Sequence, residues 1–66
     1  MTRKDFIFIA NTIAESHMPA IAKLEMMKQF ANELDSKYSK FNKQRFISYT
    51  NNQIREYELK SEENLI

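Results

Sequence analysis

The side chains in this sequence with the clearest potential for chemistry are its single histidine, His17, and the serine before it, Ser16. A histidine can act as a general base or bind a metal ion, and a serine can act as a nucleophile beside such a base. Adjacent residues on a helix point in different directions, however, and His17 has no second histidine and no carboxylate four residues later. We therefore expect a capping or surface role for His17 and no metal site.

Missing residue types exclude further classes of site. The chain has no cysteine, which rules out thiol nucleophiles, thiolate metal sites and disulfides. It also has no glycine, so phosphate-binding loops and nucleophile elbows cannot be built in their usual form. A chain of 66 residues has little room for a cleft in which its carboxylates could converge. We expect no enzymatic activity, no cofactor and no small-molecule substrate.

Basic residues are concentrated in one part of the chain. Residues 37 to 55 contain no acidic side chain and a net charge of +5, whereas residues 1 to 36 carry −1 and residues 56 to 66 carry −3. Cations bind phosphates, and the amides of Asn51 and Asn52 could read base edges. One hypothesis is therefore a nucleic-acid site formed by Lys40, Lys43, Arg45 and Arg55. The alternative is a solvated face, partly neutralised by the acidic residues that follow.

The first two elements that must position these side chains are predicted to be helices. Thr2 and Asp5 have the spacing of a capping box, and apolar residues follow at the spacing of one helix face, so helix 1 is expected near residues 3 to 17. Pro19 marks a boundary, and helix 2 is expected near residues 19 to 39. Its predicted apolar stripe is Ile21, Leu24, Met27 or Lys28, Ala31, Leu34 and Tyr38.

A third helix is predicted from residue 43 onward. Asn42 is a favourable N-cap, and Phe41 and Phe46 occupy the two positions of a hydrophobic staple. The chain then divides into a helical domain, residues 1 to 51, and a polar C-terminal extension, residues 52 to 66. The extension is expected to be a continuation of helix 3, a short fourth helix or a frayed tail. The fold class is therefore all-α, a compact three-helix protein.

Large apolar residues exceed what three short helices can bury. Ile7 and Phe8 lie beside or outside the stripe of helix 1, and Met26 and Phe30 broaden the stripe of helix 2. Methionine and aromatic side chains are typical of adaptable protein-binding surfaces. A broad core or a homodimer interface would also account for the surplus. We select Ile7, Phe8, Met26 and Phe30 as candidate protein-binding residues.

Two segments resemble a family of very short, uncharacterised bacteriophage proteins. The first is Met1-Thr2-Arg3-Lys4-Asp5-Phe6 with Ile9-Ala10, and the second runs from Phe30-Ala31 to Phe41-Asn42-Lys43-Gln44-Arg45-Phe46. The likeness covers the chain to about Tyr49. Asn42 replaces a usual aspartate, Lys40 replaces an arginine, and the C-terminal segment is additional. The resemblance implies a phage origin and a helical fold, and it transfers no site because the family has no established activity.

These observations lead to one functional hypothesis and one alternative. The first is a non-catalytic phage-type accessory protein that binds a host or phage protein, in one variant as a homodimer. The alternative is a small nucleic-acid-binding regulator in which helices 2 and 3 form a helix-turn-helix-like pair. No stretch of about 20 apolar residues is present, so no membrane partner is expected. The absence of cysteine and of a cleavage site after the N-terminal apolar run favours the cytoplasm.

Overall fold

The computed structural model describes residues 2 to 63, and side chains as far as residue 60. It contains three α-helices, α1 (Arg3–Glu15), α2 (Ala20–Lys37) and α3 (Lys43–Glu63). No strand occurs in residues 2 to 63, so the expected all-α, three-helix fold is confirmed. The last three residues of the predicted C-terminal extension lie outside the described part of the chain.

The three helices run up, down and up along a rod of 45 × 20 × 16 Å. Near the start of α1, Phe6 packs on Tyr38 and Phe41 in the connection from α2 to α3. Near the end of α1, the carbonyl of Ala14 lies beside Lys23 at the start of α2, and Lys23 also contacts Glu58 late in α3. Consequently α1 and α3 are parallel to each other and antiparallel to α2. The starts of α1 and α3 therefore lie at the same end of the rod as the end of α2.

The core is narrow and uses small residues where the helices meet. Alanines are almost completely buried in both α1 and α2, and small side chains let helix backbones approach closely. The buried apolar residues are Ala10, Ile13, Ala14, Met27, Ala31, Leu34, Phe46 and Ile54. The hydroxyl of Thr50 is also fully buried and donates a hydrogen bond to the carbonyl oxygen of Phe46, at 2.7 Å. A polar residue can therefore face this core because its hydroxyl is satisfied within its own helix.

The helix starts follow the predicted signals closely. The carboxylate of Asp5 accepts a hydrogen bond from the backbone N–H of Thr2 at 2.9 Å, as expected for the capping pair that begins α1. The side-chain oxygen of Asn42 accepts one from the backbone N–H of Arg45 at 3.0 Å, which confirms the predicted N-cap of α3. The staple is confirmed too, because the rings of Phe41 and Phe46 lie 5.5 Å apart.

Two helix ends come one or two residues earlier than predicted. Helix α1 ends at Glu15 rather than near residue 17, because Ser16 is extended and caps the last turn through its backbone and hydroxyl, both bonded to the carbonyl of Ile13. Pro19 precedes α2 as its N-cap and does not occupy its first turn. Tyr38 adopts an extended backbone, which ends α2 at Lys37 instead of near residue 39.

The predicted stripe of α2 was wrong at one position. Ile21 was expected to face the core, but 77% of its surface is exposed, and Lys23 is buried in its place with only 1% exposed. The helix is rotated so that Lys23, Met27, Ala31 and Leu34 face inward. The rotation is possible because the ammonium group of Lys23 finds polar partners inside the bundle, as described below.

Helix α3 continues through Thr50, Asn51 and Asn52 without a break. Of the three alternatives for the C-terminal extension, the structure therefore shows a continuation of helix 3 as far as Glu63. Ile54 is buried, and Tyr57 and Glu58 contact Lys23. The extension is thus part of the packed bundle, because it covers the end of the rod where α1 stops and α2 begins.

Candidate functional site: a cationic aromatic pocket

Four aromatic rings meet at the end of the rod where α1 and α3 begin. Phe6 lies with its ring centroid 4.9 Å from that of Phe41 and 6.4 Å from that of Tyr38, the latter in an edge-to-face arrangement. Phe41 in turn packs on Phe46, which anchors the cluster to the core. Such offset and tilted pairs add stability beyond burial alone. The cluster joins all three helices and fixes the connection between α2 and α3.

A cavity of about 300 Å³ opens to solvent beside this aromatic cluster. Its apolar wall comes from the first turns of α1 and α3, and the connection before α3 closes it. Phe6, Ile7, Phe41, Phe46 and Tyr49 supply the apolar surface. The hydroxyl of Tyr49 donates a hydrogen bond to the side-chain oxygen of Asn11 at 3.3 Å, which holds this wall against α1. The cavity is therefore formed by fixed elements of the fold.

The rim of the cavity is positively charged. Arg3, Lys40 and Arg45 line it together with the amide of Asn42, and no acidic residue does so. All three cations are solvent-exposed, and within residues 2 to 60 none has a carboxylate at ion-pair distance. A second, shallower depression shares Phe6, Lys40 and Phe41 with the first and adds Lys37. We call the two depressions together the cationic pocket.

The acidic residue closest to this rim in sequence is already engaged. Asp5 accepts hydrogen bonds from the backbone N–H and the hydroxyl of Thr2, and these bonds hold the pKa of its carboxyl below the usual value of 3.8. Because its carboxylate is directed at the start of α1, it does not neutralise the rim. The positive charge of the cationic pocket is consequently available to a ligand.

The structure distributes the predicted site residues over several places. From the protein-binding set, Ile7 lines the cationic pocket, while Phe8 is 70% exposed on another side of α1. Met26 packs half-buried against the core, one helical turn from the partly exposed Phe30. The four residues of this set thus do not line one cavity. From the nucleic-acid set, Lys40 and Arg45 line the pocket, whereas Lys43 and Arg55 do not.

A second polar surface follows the outward side of α3. Arg45, Ser48, Asn52 and Arg55 recur at helical spacing and are all exposed. They extend over about 15 Å, given a rise of about 1.5 Å per residue. Asn51 is exposed beside them, and no acidic residue occurs between Asn42 and Arg55. We call this surface the outer face of α3; it shares Arg45 with the rim of the cationic pocket.

The buried lysine lies at the opposite end of the rod. Lys23 donates a hydrogen bond to the carbonyl oxygen of Ala14 at 2.7 Å and to a carboxylate oxygen of Glu58 at 3.0 Å. Its ammonium group also lies 4.4 Å from the ring centroid of Tyr57. Ala14 is close to the end of α1, where carbonyl groups lack helical partners and attract cations. Lys23 therefore ties together the ends of three helices, and we call these contacts the lysine junction.

Sequence reasoning missed both the lysine junction and part of the pocket. Lys23 lies four residues before the core residue Met27, so helical spacing alone places it on the inner side of α2, but its charge argued for solvent. Arg3 and Phe6 belong to the pocket because α1 and α3 are parallel, which a sequence pattern does not specify. A topology with both helix starts at one end would have indicated the juxtaposition.

Other potential sites can be placed in the described residues. His17 is exposed in the bend after α1. Residues 2 to 63 contain no cluster of three or more side chains suited to hold a metal ion. Among the three helices as described, none is both long enough and apolar enough to cross a membrane.

The fold and this geometry together define a three-helix bundle with an open cationic pocket at one end. Comparisons of the chain with models of known protein families, with curated proteins and with solved structures find no match. Functional inference therefore rests on the chain's own residues.

Proposed function

We propose that this chain is a non-catalytic binding protein that engages an anionic region of another protein through the cationic pocket. The observation that supports the proposal is a preformed apolar cavity whose rim carries three cations without carboxylate partners among residues 2 to 60. The resemblance to short phage proteins suggests that the partner is a phage or host protein.

The pocket has the chemistry of a protein interface. Arginine and aromatic residues are enriched at the centres of such interfaces, where rigid rings supply contact area and guanidinium groups bind carboxylates in a bidentate manner. A positive rim also accelerates encounter with an acidic partner and disfavours basic ones. The exposed Phe8 and Ile21 lie outside the pocket lining, and their isolation on separate helices offers a partner no comparable cavity.

The test reverses charge on the rim and compares it with an equal reversal elsewhere. A double variant Lys40→Glu, Arg45→Glu alters the pocket, and Lys28→Glu, Lys60→Glu changes two exposed cations of α2 and α3 outside it. Proteins that co-purify with the tagged wild-type chain should be lost from the first variant and retained by the second. Circular dichroism must show that both variants keep their helix content.

Two results would contradict the proposal. Equal retention of the partner by both variants would show that the pocket is not the binding surface. Equal loss from both would show that only net charge matters, as expected for non-specific adsorption. For a purified partner, the affinity should fall as salt rises, because an ionic contact at an exposed rim is screened.

A second candidate function, nucleic-acid binding, is supported by the outer face of α3. Arg45 and Arg55 could contact phosphates or guanine, and Asn52 between them could contact adenine. Helix α3 follows α2 after a connection of residues 38 to 42, as a helix-turn-helix-like arrangement requires. The expected site is thereby narrowed, because Lys43 is half-buried and Lys40 belongs to the pocket.

Different variants separate the two candidate functions. Arg55→Glu should weaken binding to duplex DNA and leave capture of a protein partner intact, because Arg55 lies outside the pocket lining. Lys40→Glu should show the reverse pattern. Fluorescence polarisation with labelled duplex should detect binding at low salt that falls steeply as the salt concentration rises. Absence of binding at low salt would exclude this second candidate.

A further inference from the structure

We infer that the ligand of the cationic pocket is an extended acidic segment of the partner protein, which inserts one bulky apolar side chain and places its carboxylates on the rim. This inference rests on the proposed function and specifies the chemistry of the partner. It follows from the size of the cavity, the arrangement of its charges and the shape of the surface around it.

The size of the cavity favours a single side chain. Pockets for drug-sized ligands occupy about 300–1,000 Å³, and this cavity, at about 300 Å³, lies at the lower limit. Its wall combines the rings of Phe6 and Phe41 with the side chain of Ile7, and this wall suits an aromatic or branched aliphatic group. A phenylalanine, leucine or isoleucine side chain from a partner would cover these half-buried rings.

The arrangement of charge specifies what must surround that side chain. Arg3 comes from the start of α1, Lys40 from the connection, and Arg45 from the first turn of α3. The cations thus approach the opening from three different elements. A ligand with negative charges on both sides of its apolar residue would contact them together, whereas a single carboxylate would leave part of the rim unpaired.

The shape of the surface favours an extended segment over a helix. The second depression lies next to the first across the shared residues Phe6, Lys40 and Phe41, and it is lined by Lys37, Tyr38 and Ser39 as well. In an extended chain, side chains two residues apart point the same way and lie about 7 Å apart. Such a segment can place one apolar residue in the cavity and a nearby acidic residue beside Lys37.

A single-stranded nucleic acid is the main competing ligand, since it would also present flat rings and negative charges. Polar groups that read base edges are scarce in the cavity, where Asn42 is the one side-chain amide. An apolar residue flanked by carboxylates therefore matches the lining better. The two ligands are distinguished directly in the experiment below.

The experiment measures binding of four labelled probes to the full chain by fluorescence anisotropy. The first is a five-residue acidic peptide with a central phenylalanine. The second has serine at the centre, the third has basic instead of acidic residues around phenylalanine, and the fourth is a short oligothymidine. The first probe should bind about tenfold or more tightly than each of the others, because the centre supplies apolar burial and the flanks supply charge complementarity.

Matched variants then locate the binding site. Ile7→Ala shortens a wall residue, and Phe8→Ala shortens its exposed neighbour outside the pocket. Arg45→Glu reverses a rim charge, and Arg55→Glu reverses one on the same helix outside the pocket. Ile7→Ala and Arg45→Glu should each weaken binding of the acidic phenylalanine peptide several-fold, and the two control variants should not. Amide resonances of α3 near Arg45 should shift upon binding.

Several outcomes would overturn the inference. Equal binding of the serine peptide would show that the cavity takes no side chain, and tighter binding of oligothymidine would assign the surface to nucleic acid. If Ile7→Ala proves unfolded, the serine peptide still tests insertion. If no peptide binds while capture of a protein partner still depends on Lys40 and Arg45, this inference fails and the proposed function stands. If neither is observed, both fail.

Discussion

The lysine junction leads to a quantitative prediction about stability. Lys23 is 1% exposed, so replacing it with alanine removes about three buried methylene groups, which corresponds to about 2 kcal/mol. The change also deprives the carbonyl of Ala14 of its lysine donor, at a cost of about 1–3 kcal/mol. We therefore expect Lys23→Ala to lower the free energy of unfolding by about 3–5 kcal/mol. A domain of this length has a total of about 3–10 kcal/mol, so the effect is large.

Methionine at the same position separates packing from charge. Lys23→Met keeps an unbranched apolar side chain of similar length, so the loss should be confined to the carbonyl of Ala14, about 1–3 kcal/mol. Removing a buried ammonium group also relieves its desolvation, which reduces the loss further. The variant should therefore be clearly more stable than Lys23→Ala. Urea denaturation followed by circular dichroism measures both differences, provided that the m-values agree.

The ion pair itself is expected to contribute little. The side chain of Glu58 is 43% exposed, so solvent screens its attraction to Lys23, and the coupling energy should lie at about 0–1 kcal/mol. A double-mutant cycle with Lys23→Met and Glu58→Gln isolates this quantity. The reasoning is refuted if the cycle gives more than about 2 kcal/mol, or if Lys23→Met is as destabilising as Lys23→Ala. Either result would mean that charge, not packing and carbonyl capping, dominates the junction.

Three further predictions concern helix ends and one exposed ring. Asn42→Ala should lower the unfolding free energy by about 1 kcal/mol in urea denaturation, because it removes the N-cap of α3; an unchanged midpoint would contradict the cap. The pKa of Asp5 is lowered by bonds from Thr2, so its contribution to stability is present above pH 3.8 and is lost as pH falls through the lowered value; melting temperatures of wild type and Asp5→Asn should differ near neutrality and converge in acid. Phe8→Ser should change stability by less than about 0.5 kcal/mol, since the ring is 70% exposed, and loss of folding would disprove that placement.

Local signals in the sequence were sufficient for the helices and their starts. Capping at Thr2 and Asn42 depends on residues within one turn, and so does the staple between Phe41 and Phe46. The three-helix arrangement was predictable for the same reason, because amphipathic spacing and a single proline divide the chain into three segments.

Features that depend on contacts between helices were not predictable in the same way. Whether Ile21 or Lys23 faces the core depends on the rotation of α2, and that rotation depends on a carbonyl of α1 and a carboxylate of α3. A break after Thr50 was plausible from propensity, yet burial of Thr50 and Ile54 keeps α3 continuous. Of the cationic pocket, Ile7, Lys40 and Arg45 were selected from sequence, although for two separate hypotheses.

The separation of charges along the rod connects stability with the proposed function. The chain has nine carboxylates, enough to neutralise its cationic pocket, yet within residues 2 to 60 the salt bridge occurs at the lysine junction instead. Cations gathered at one end repel one another and weaken the folded state slightly, while a complementary ligand would relieve that repulsion on binding. Rim and junction lie at opposite ends, so substitutions at Lys40 or Arg45 should alter binding with little loss of stability. Substitutions at Lys23 should do the reverse, and that contrast would separate a binding surface from a structural one.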